Sequence, residues 1–393
     1  MSPNLATHDA SLAPYVAFHQ PASDISTGNW VTSVAIDPFN AAHAVYGNGG
    51  QIWATADVTN ADPSASSLGI VDWKIDALGV EETAITGLWA PPSGATILLS
   101  SMLDNYGFAH QDLTVSPPQQ MFWSPGATPT AMDFEQNTPT NVVRVTDGSG
   151  GAAPIGVIST DGGLTWTAFA STPTASKGGG QIALSPDGSS MVWATEDTSS
   201  VWYSTDAGTT WTASTGISSQ AQVISDRAKA GVYYGFSNGT LSVSTDAGAT
   251  FTTLQTGIPS GSYSVPPTLV SLPDAQGDVW LTGGDEYGNL YSNTGTSTFP
   301  RLTAVSGVQW SYHLGYGKAA AGSNKLTLYL DGTIGGAWGY YRSTDGGTTW
   351  LQINDSAHQW AGSTAICGDM RTFGTFYLGT GGGRGIIWGT SAN

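Results

Sequence analysis

The octapeptide STDGGLTW at 159–166 recurs as STDAGTTW at 204–211, STDAGATF at 244–251 and STDGGTTW at 343–350. A weaker copy, SNTGTSTF at 292–299, carries Thr294 in place of the aspartate. Two degenerate copies, QIWATAD at 51–57 and MFWSPG at 121–126, lie upstream. Apart from one longer gap, successive copies start about 35–50 residues apart, a period that belongs to repeat architectures. Around each copy run short apolar stretches set off by Gly, Asn, Asp and Pro. VTSVAIDP, AVYGNG, QIWATAD and VDWKID form one set, and GQIALSPDG, SMVWATE, VWYSTD and TWTAST another. Such stretches read as four antiparallel strands per unit. Seven units of this kind predict an all-β chain folded as a seven-bladed β-propeller.

The octapeptide, an Asp-box, then occupies the hairpin between the third and fourth strands of a blade. Its Ser and Asp bond local backbone amides, its Gly supplies a left-handed position, and its Trp or Phe opens the outer strand. An acid repeated at equivalent places cannot mark one active site. Asp161, Asp206, Asp246 and Asp345 are therefore expected to be turn staples.

Composition agrees with this reading. The 393 residues include 52 Gly, against a usual frequency of about 7%, and only 10% are charged. The 15 Trp, 15 Tyr and 11 Phe can fill a large core, the opposite of a disorder signature. No apolar run approaches the ~18 residues of a membrane-spanning helix. Net charge is −18 and the 11 Lys and Arg are scattered, so neither nucleic acid nor an anionic membrane is an expected partner. A single cysteine, Cys367, excludes an intrachain disulfide and a Cys-cluster metal site. The start, MSPNLATHDA, has no signal-peptide pattern, so a leader is expected to be absent or already removed.

The strand count predicts an N-terminal segment at 1–27, the seven-bladed propeller at 28–364, and a three-strand remainder at 365–393. That remainder holds counterparts of a blade's first three strands and no fourth. A bare strand edge is an aggregation liability, so either residues 1–27 or a second polypeptide is expected beside Ile386–Gly389.

The long gap between the first two copies holds GVEETAITGLWAPPSGATILLSSMLDNYGFAHQDL at 79–113. Here Asp104 stands in a Gly-containing loop beside Tyr106, Phe108 and His110. Alone, DNYG reads more readily as an ordinary turn. Glu81 and Glu82 read as structural residues opening a strand.

With TSVAIDPFNAAHAVYGNG (32–49), the Asp-boxes, QWSYHLGYGK (309–318) and LGTGGGRGIIWG (378–389), this stretch resembles glycoside hydrolase family 74, the xyloglucanases. The motifs run in family order from Trp30 to Gly389. The resemblance is to the C-terminal half of enzymes built from two tandem seven-bladed propellers, with the substrate cleft between them. It implies a secreted, cofactor-free enzyme that cuts the β-1,4-glucan backbone of xyloglucan with inversion. One catalytic Asp comes from each propeller, and the acid of the second falls on Asp104. An inverting pair needs a protonated acid on one side and a base about 6.5–9.5 Å away. Asp104 is accordingly expected to have a raised pKa, through burial among Leu103, Tyr106 and Phe108.

Two departures follow. The N-terminal propeller, with its base in a T-D-x-G-G-A-Y type motif, is absent from this sequence. The family pattern D-x-G-G-F also reads Asp104-Asn105-Tyr106-Gly107-Phe108 here, so Tyr106 is expected to narrow the subsite at the cleavage point. By the same resemblance the last three strands join a strand of the missing half, and an N-terminal propeller chain is the expected partner.

Sugar clefts are lined with flat aromatics, and Trp30, Trp310, Tyr312, Trp338 and Trp360 lie outside the boxes as candidates. Tyr106, Phe108 and His110 complete the candidate substrate contacts, and no metal site is expected. Sialidases also carry Asp-boxes, but their arginine cluster is missing, and GTGGGRG (379–385) reads as a hairpin turn rather than a phosphate loop. The alternative to an enzyme is a non-catalytic propeller that binds glucan or protein.

Overall fold

A computed structural model of the chain describes residues 6–17, 31–48, 51–62, 64, 68–77, 83–103, 105–119, 128–148, 155–174, 176–196, 200–259, 265–284, 288–293 and 301–390. The repeated octapeptide folds as its chemistry requires. Between Gly156–Ser159 and Thr167–Ala168, the Ser159 hydroxyl donates to Asp161 Oδ1 at 2.8 Å and accepts the Gly163 amide at 2.9 Å. Asp161 also accepts the Thr165 amide at 2.9 Å and the Thr165 hydroxyl at 2.5 Å. The copies around Asp206, Asp246 and Asp345 repeat these bonds. Both carboxylate oxygens are taken up by the turn, so none of the four acids is available for chemistry. Asp57, in the upstream copy, instead caps the short 3-10 helix Val58–Ala61 through the Thr59 amide. MFWSPG and residues 294–299 of the weak copy lie outside the described residues.

The chain divides into two compact units. The larger, 83–111 with 121–393, holds seven antiparallel sheets: five of four strands, and a first and last of three among the described residues. Their first strands are Ile85–Trp89, Pro129–Phe134, Gln181–Leu184, Gln222–Ser225, Leu269–Ser271, Val308–Gly317 and Ser363–Gly368. All seven line one axial cavity of about 440 Å³. The sheets are therefore blades around an axis, and this unit is a seven-bladed propeller.

Adjacent blades are joined in two ways. Apolar side chains such as Val143, Phe169, Leu184 and Trp193 pack from one sheet to the next, each fully buried one stabilising by about 1.5–3 kcal/mol. Near the axis, side-chain oxygens take the next blade's amides. Asp133 Oδ2 accepts from Leu184 at 2.7 Å, Gln181 Oε1 from Val223 at 3.2 Å, and Gln222 Oε1 from Leu269 at 3.1 Å. The ring closes between the seventh and first blades through Arg371. Its guanidinium donates to the carbonyls of Pro91 at 3.1 Å, Ser93 at 2.9 Å, Gly94 at 2.9 Å and Thr96. Among the described residues no helix is long and apolar enough to cross a membrane.

The boundaries expected from the strand count are corrected here. The propeller begins at 83, not 28, because the stretch 83–111 is itself the first blade. The three strands of the C-terminal remainder are present, at Ser363–Gly368, Thr375–Thr380 and Ile386–Thr390. They form the seventh blade of this ring rather than a surplus beyond it. A count of boxes could not reveal this, since the first blade's box is degenerate and residues 31–76 carry an equally good four-strand pattern.

Residues 31–76 belong instead to the smaller unit, 1–82 with 112–120. There Ser33–Asp37, Asn40–Gly47, Ile52–Thr55 and Val71–Ile75 form a blade-like antiparallel sheet. Ala6–Asp9 adds a fifth strand, parallel to Val71–Ile75. Tyr46, Trp53 and Ile75 make its core with Ala10 and Ala13. The expected role of residues 1–27 as a cover for Ile386–Gly389 is thus not what the described part of that segment does. Among the described residues no strand pairs with the outer edge of Ile386–Thr390.

Candidate active site

Asp104 itself, like Trp30, Glu81 and Glu82, lies outside the described residues. Its immediate neighbours define the loop between the second and third strands of the first blade. Leu103 donates its amide to Ala84 O at 3.0 Å, Asn105 to Leu103 O at 2.7 Å, and Gly107 to Asn105 O at 2.7 Å. Tyr106 has φ +63° and Gly107 φ +122°. A Cβ on Gly107 would lie 2.0 Å from Ser100 O, so only glycine fits there. Tyr106 occupies a left-handed conformation that costs a side-chain-bearing residue about 1–2 kcal/mol.

Below the loop, Phe108 is buried and donates its amide to Ser100 Oγ at 3.2 Å. His110 Nε2 lies 3.0 Å from the same hydroxyl, with its ring 5.8 Å from that of Phe108. Burial pushes the imidazole down to about 4, so it is neutral at ordinary pH. Tyr106 is half-buried and Leu103 is 41% exposed. Leu103 is thus not buried, contrary to the expectation from the sequence.

The loop borders the seventh blade. Gly385, at the end of the glycine-rich hairpin, donates its amide to Thr83 O at 3.2 Å, beside the Ala84 carbonyl that holds Leu103. The other end of that hairpin reaches the next segment, Gly381 donating to Gly362 O at 2.9 Å. GTGGGRG is therefore a turn, joining Thr375–Thr380 to Ile386–Thr390. Just before Gly362, Trp360 and Ala361 have φ +47° and +59°. Two successive non-glycine residues in this region mark a strained loop, a feature that clusters at binding sites.

From Trp360 an aromatic row runs onto the sixth blade. The Trp360 and Tyr340 rings lie 6.1 Å apart at 31°, and Tyr340 and Trp338 lie 5.4 Å apart at 67°. His358 flanks Trp360 at 5.5 Å. The sixth blade is unusually tall, with strands of 10, 8 and 7 residues. Trp310 pairs with Thr333 and Thr333 with Trp338, so both tryptophans sit on this raised part. Tyr312 is skipped in the register between Ser311 and His313, the extra residue of a bulge.

All these segments are connections from a second to a third strand or from one blade to the next. Strand alternation puts them at one end of the propeller, with the Asp-box hairpins at the other. The structure thus brings together the 103–107 loop, Trp338 and Trp360, with Trp310 and Tyr312 on the same blade. His110 and Phe108 lie beneath. The axial cavity is lined by none of these aromatics. Sequence reasoning passed over Asp331, Ser363 and Arg371. Asp331 did carry a signal, an acid inside the apolar run TLYLDGTI.

Comparison with known proteins is consistent in kind. The BNR/Asp-box repeat family matches residues 157–168. A xyloglucanase from Paenibacillus sp is 40% identical over 97% of this chain and 37% of that protein. An oligoxyloglucan-reducing end-specific xyloglucanase from Emericella nidulans is 34% identical, over 92% of this chain and 47% of that protein. Among solved structures, a family 74 xyloglucanase from Xanthomonas campestris matches with TM-score 0.84 and 32% identity, covering 99% of this chain and 53% of that one. A family 74 enzyme from Niastella koreensis gives 0.80 at 30% identity, covering 98% and 52%. The chain spans about half the length, or less, of the relatives it matches.

Proposed function

We propose, from the premise that this chain belongs to glycoside hydrolase family 74, that it supplies the general acid and one wall of a xyloglucan-cleaving cleft. Asp104 protonates the leaving glycosidic oxygen, and water attacks the opposite face of the sugar with inversion. The base that activates this water comes from an N-terminal propeller outside the sequence. The observation that carries the reading is the pair of part-exposed indoles Trp338 and Trp360, packed against the buried Tyr340. The pair lies at the end of the propeller that also bears the 103–107 loop. Flat indole faces of this kind are what the sugar rings of a linear glucan stack on. Trp30, Trp310 and Tyr312 extend the set of substrate contacts, with Tyr106 from the loop and Phe108 and His110 from the strand that follows it.

Two exposed strands support an N-terminal propeller as the partner. Ser33–Asp37 leaves Val34 66% and Ile36 58% exposed, although the first strand of a blade normally faces a propeller's interior. Among the described residues no strand pairs with the outer edge of Ile386–Thr390, and its Trp388 is 46% exposed. An unpaired edge of this sort accepts a further strand. The site of action is extracellular, where the polysaccharide is.

The test is release of reducing ends from xyloglucan by this chain, alone and mixed with a family 74 N-terminal propeller. Release only in the mixture is expected. Binding of xyloglucan without release in either case would favour the non-catalytic glucan-binding module.

A further inference from the structure

We infer that Asp331 is a positioning residue, holding Trp338 as a preset stacking platform for a sugar ring and tying it to the seventh blade. The inference rests on the reading that Trp338 touches substrate. Asp331 is 2% exposed, in the second of the sixth blade's four strands, preceded by the buried Leu328, Tyr329 and Leu330. Removing a carboxylate from water is costly, and a buried charge is retained only where donors surround it. Here they come from two other strands, Ala337–Ser343 and Ser363–Gly368. Oδ1 accepts the Trp338 indole N–H at 2.9 Å. Oδ2 accepts the Ser363 amide at 3.2 Å and its hydroxyl at 2.5 Å. Because the Ser363 hydroxyl proton goes to Asp331, its oxygen is left to accept from His313 Nδ1 at 3.0 Å. His313 borders the axial cavity, so one carboxylate organises the aromatic row and the polar rim beside it.

The setting of Trp338 explains why it needs holding. It stands next to the tip of a two-residue hairpin, Gly335 and Gly336 with φ +61° and +82°, on the blade's raised part. One edge of its ring rests on Tyr340, at 67° between planes. An indole so placed has rotamers to lose when a ligand arrives, and the hydrogen bond to a charged acceptor removes that freedom beforehand. An apolar residue at 331 would fill the same space without the desolvation penalty. The carboxylate thus buys orientation at the expense of stability.

The test measures binding of a xyloglucan oligosaccharide to the full chain by titration calorimetry, with thermal unfolding in parallel. Asp331→Leu is expected to weaken binding about three- to tenfold, the range set by ordering one side chain on binding. Asp331→Asn, which keeps an acceptor for the indole, should recover part of the loss. In a Trp338→Phe background, which keeps an aromatic face but has no donor, both substitutions at 331 should be silent. A merely structural role would weaken binding equally in either background, and that result overturns the inference. Should Asp331→Leu fail to fold, the Asn variant in the two backgrounds decides in the same way. If Trp338→Ala binds as tightly as the parent, the reading of Trp338 as a substrate contact is what fails. If Trp338→Ala loses binding while the Asp331 variants keep it, that reading survives and the positioning role does not.

Discussion

At Tyr106 an observed backbone strain coincides with the selectivity proposed for its side chain. Its φ of +63° belongs to glycine, and glycine is what the family pattern has at this place. Tyr106→Gly is therefore expected to stabilise the chain by about 0.5–1 kcal/mol, the relief of a left-handed residue offset by glycine's greater freedom when unfolded. Urea unfolding midpoints measure this. The same substitution should speed cleavage at branched glucose positions when both propellers are present, because a side chain beside position 104 is removed. Equal rates on branched positions for the variant and the parent would contradict the role given to Tyr106. A backbone angle cannot be read from a sequence, but the departure from D-x-G-G-F could, and the positive φ falls at that position.

At the scale of one hairpin, the Asp-box predicts acid sensitivity. Bonds from the Thr210 hydroxyl and amide and from the Ser204 hydroxyl pull the Asp206 carboxyl down to about 2. Asp161, Asp246 and Asp345 are lowered too, their partial burial outweighed by the same kinds of bond. A carboxyl whose folded pKa lies below its unfolded value near 3.8 stabilises the fold above that value. The contribution is lost as pH falls from about 4 toward 2. Melting temperature should therefore drop across that window. The drop should be shallower for Asp206→Asn, whose melting temperature is lower at neutral pH but has less left to lose. An unchanged slope would contradict the staple role. These hairpins were legible in the sequence because every bond in them is local, made within five residues. Contacts between blades, such as Asp331 to Ser363, join distant parts of the chain, and no periodicity encodes them.

For the whole molecule, the ring count was the part that sequence left ambiguous. Blade-like strand sets occur in both compact units, and only the packing of Ile85–Trp89 and Ser363–Gly368 on the shared axis shows which set begins the propeller. Closure there depends on Arg371, whose planar fork serves four carbonyls of 91–96. Arg371→Ala should cost about 2–3 kcal/mol, and Arg371→Lys should recover little, because one ammonium cannot replace the fork. Urea unfolding of the two variants checks this; full recovery by lysine would show that charge alone suffices. The central claim, that this chain brings the acid to a shared cleft, is tested most directly by its leaving-group dependence. Asp104→Asn, mixed with an N-terminal propeller, should lose cleavage of xyloglucan. It should keep cleavage of a xyloglucan oligosaccharide bearing a nitrophenol leaving group, which departs without a proton. Equal loss on both substrates, or unimpaired cleavage of xyloglucan, would contradict the assignment of Asp104 as the acid.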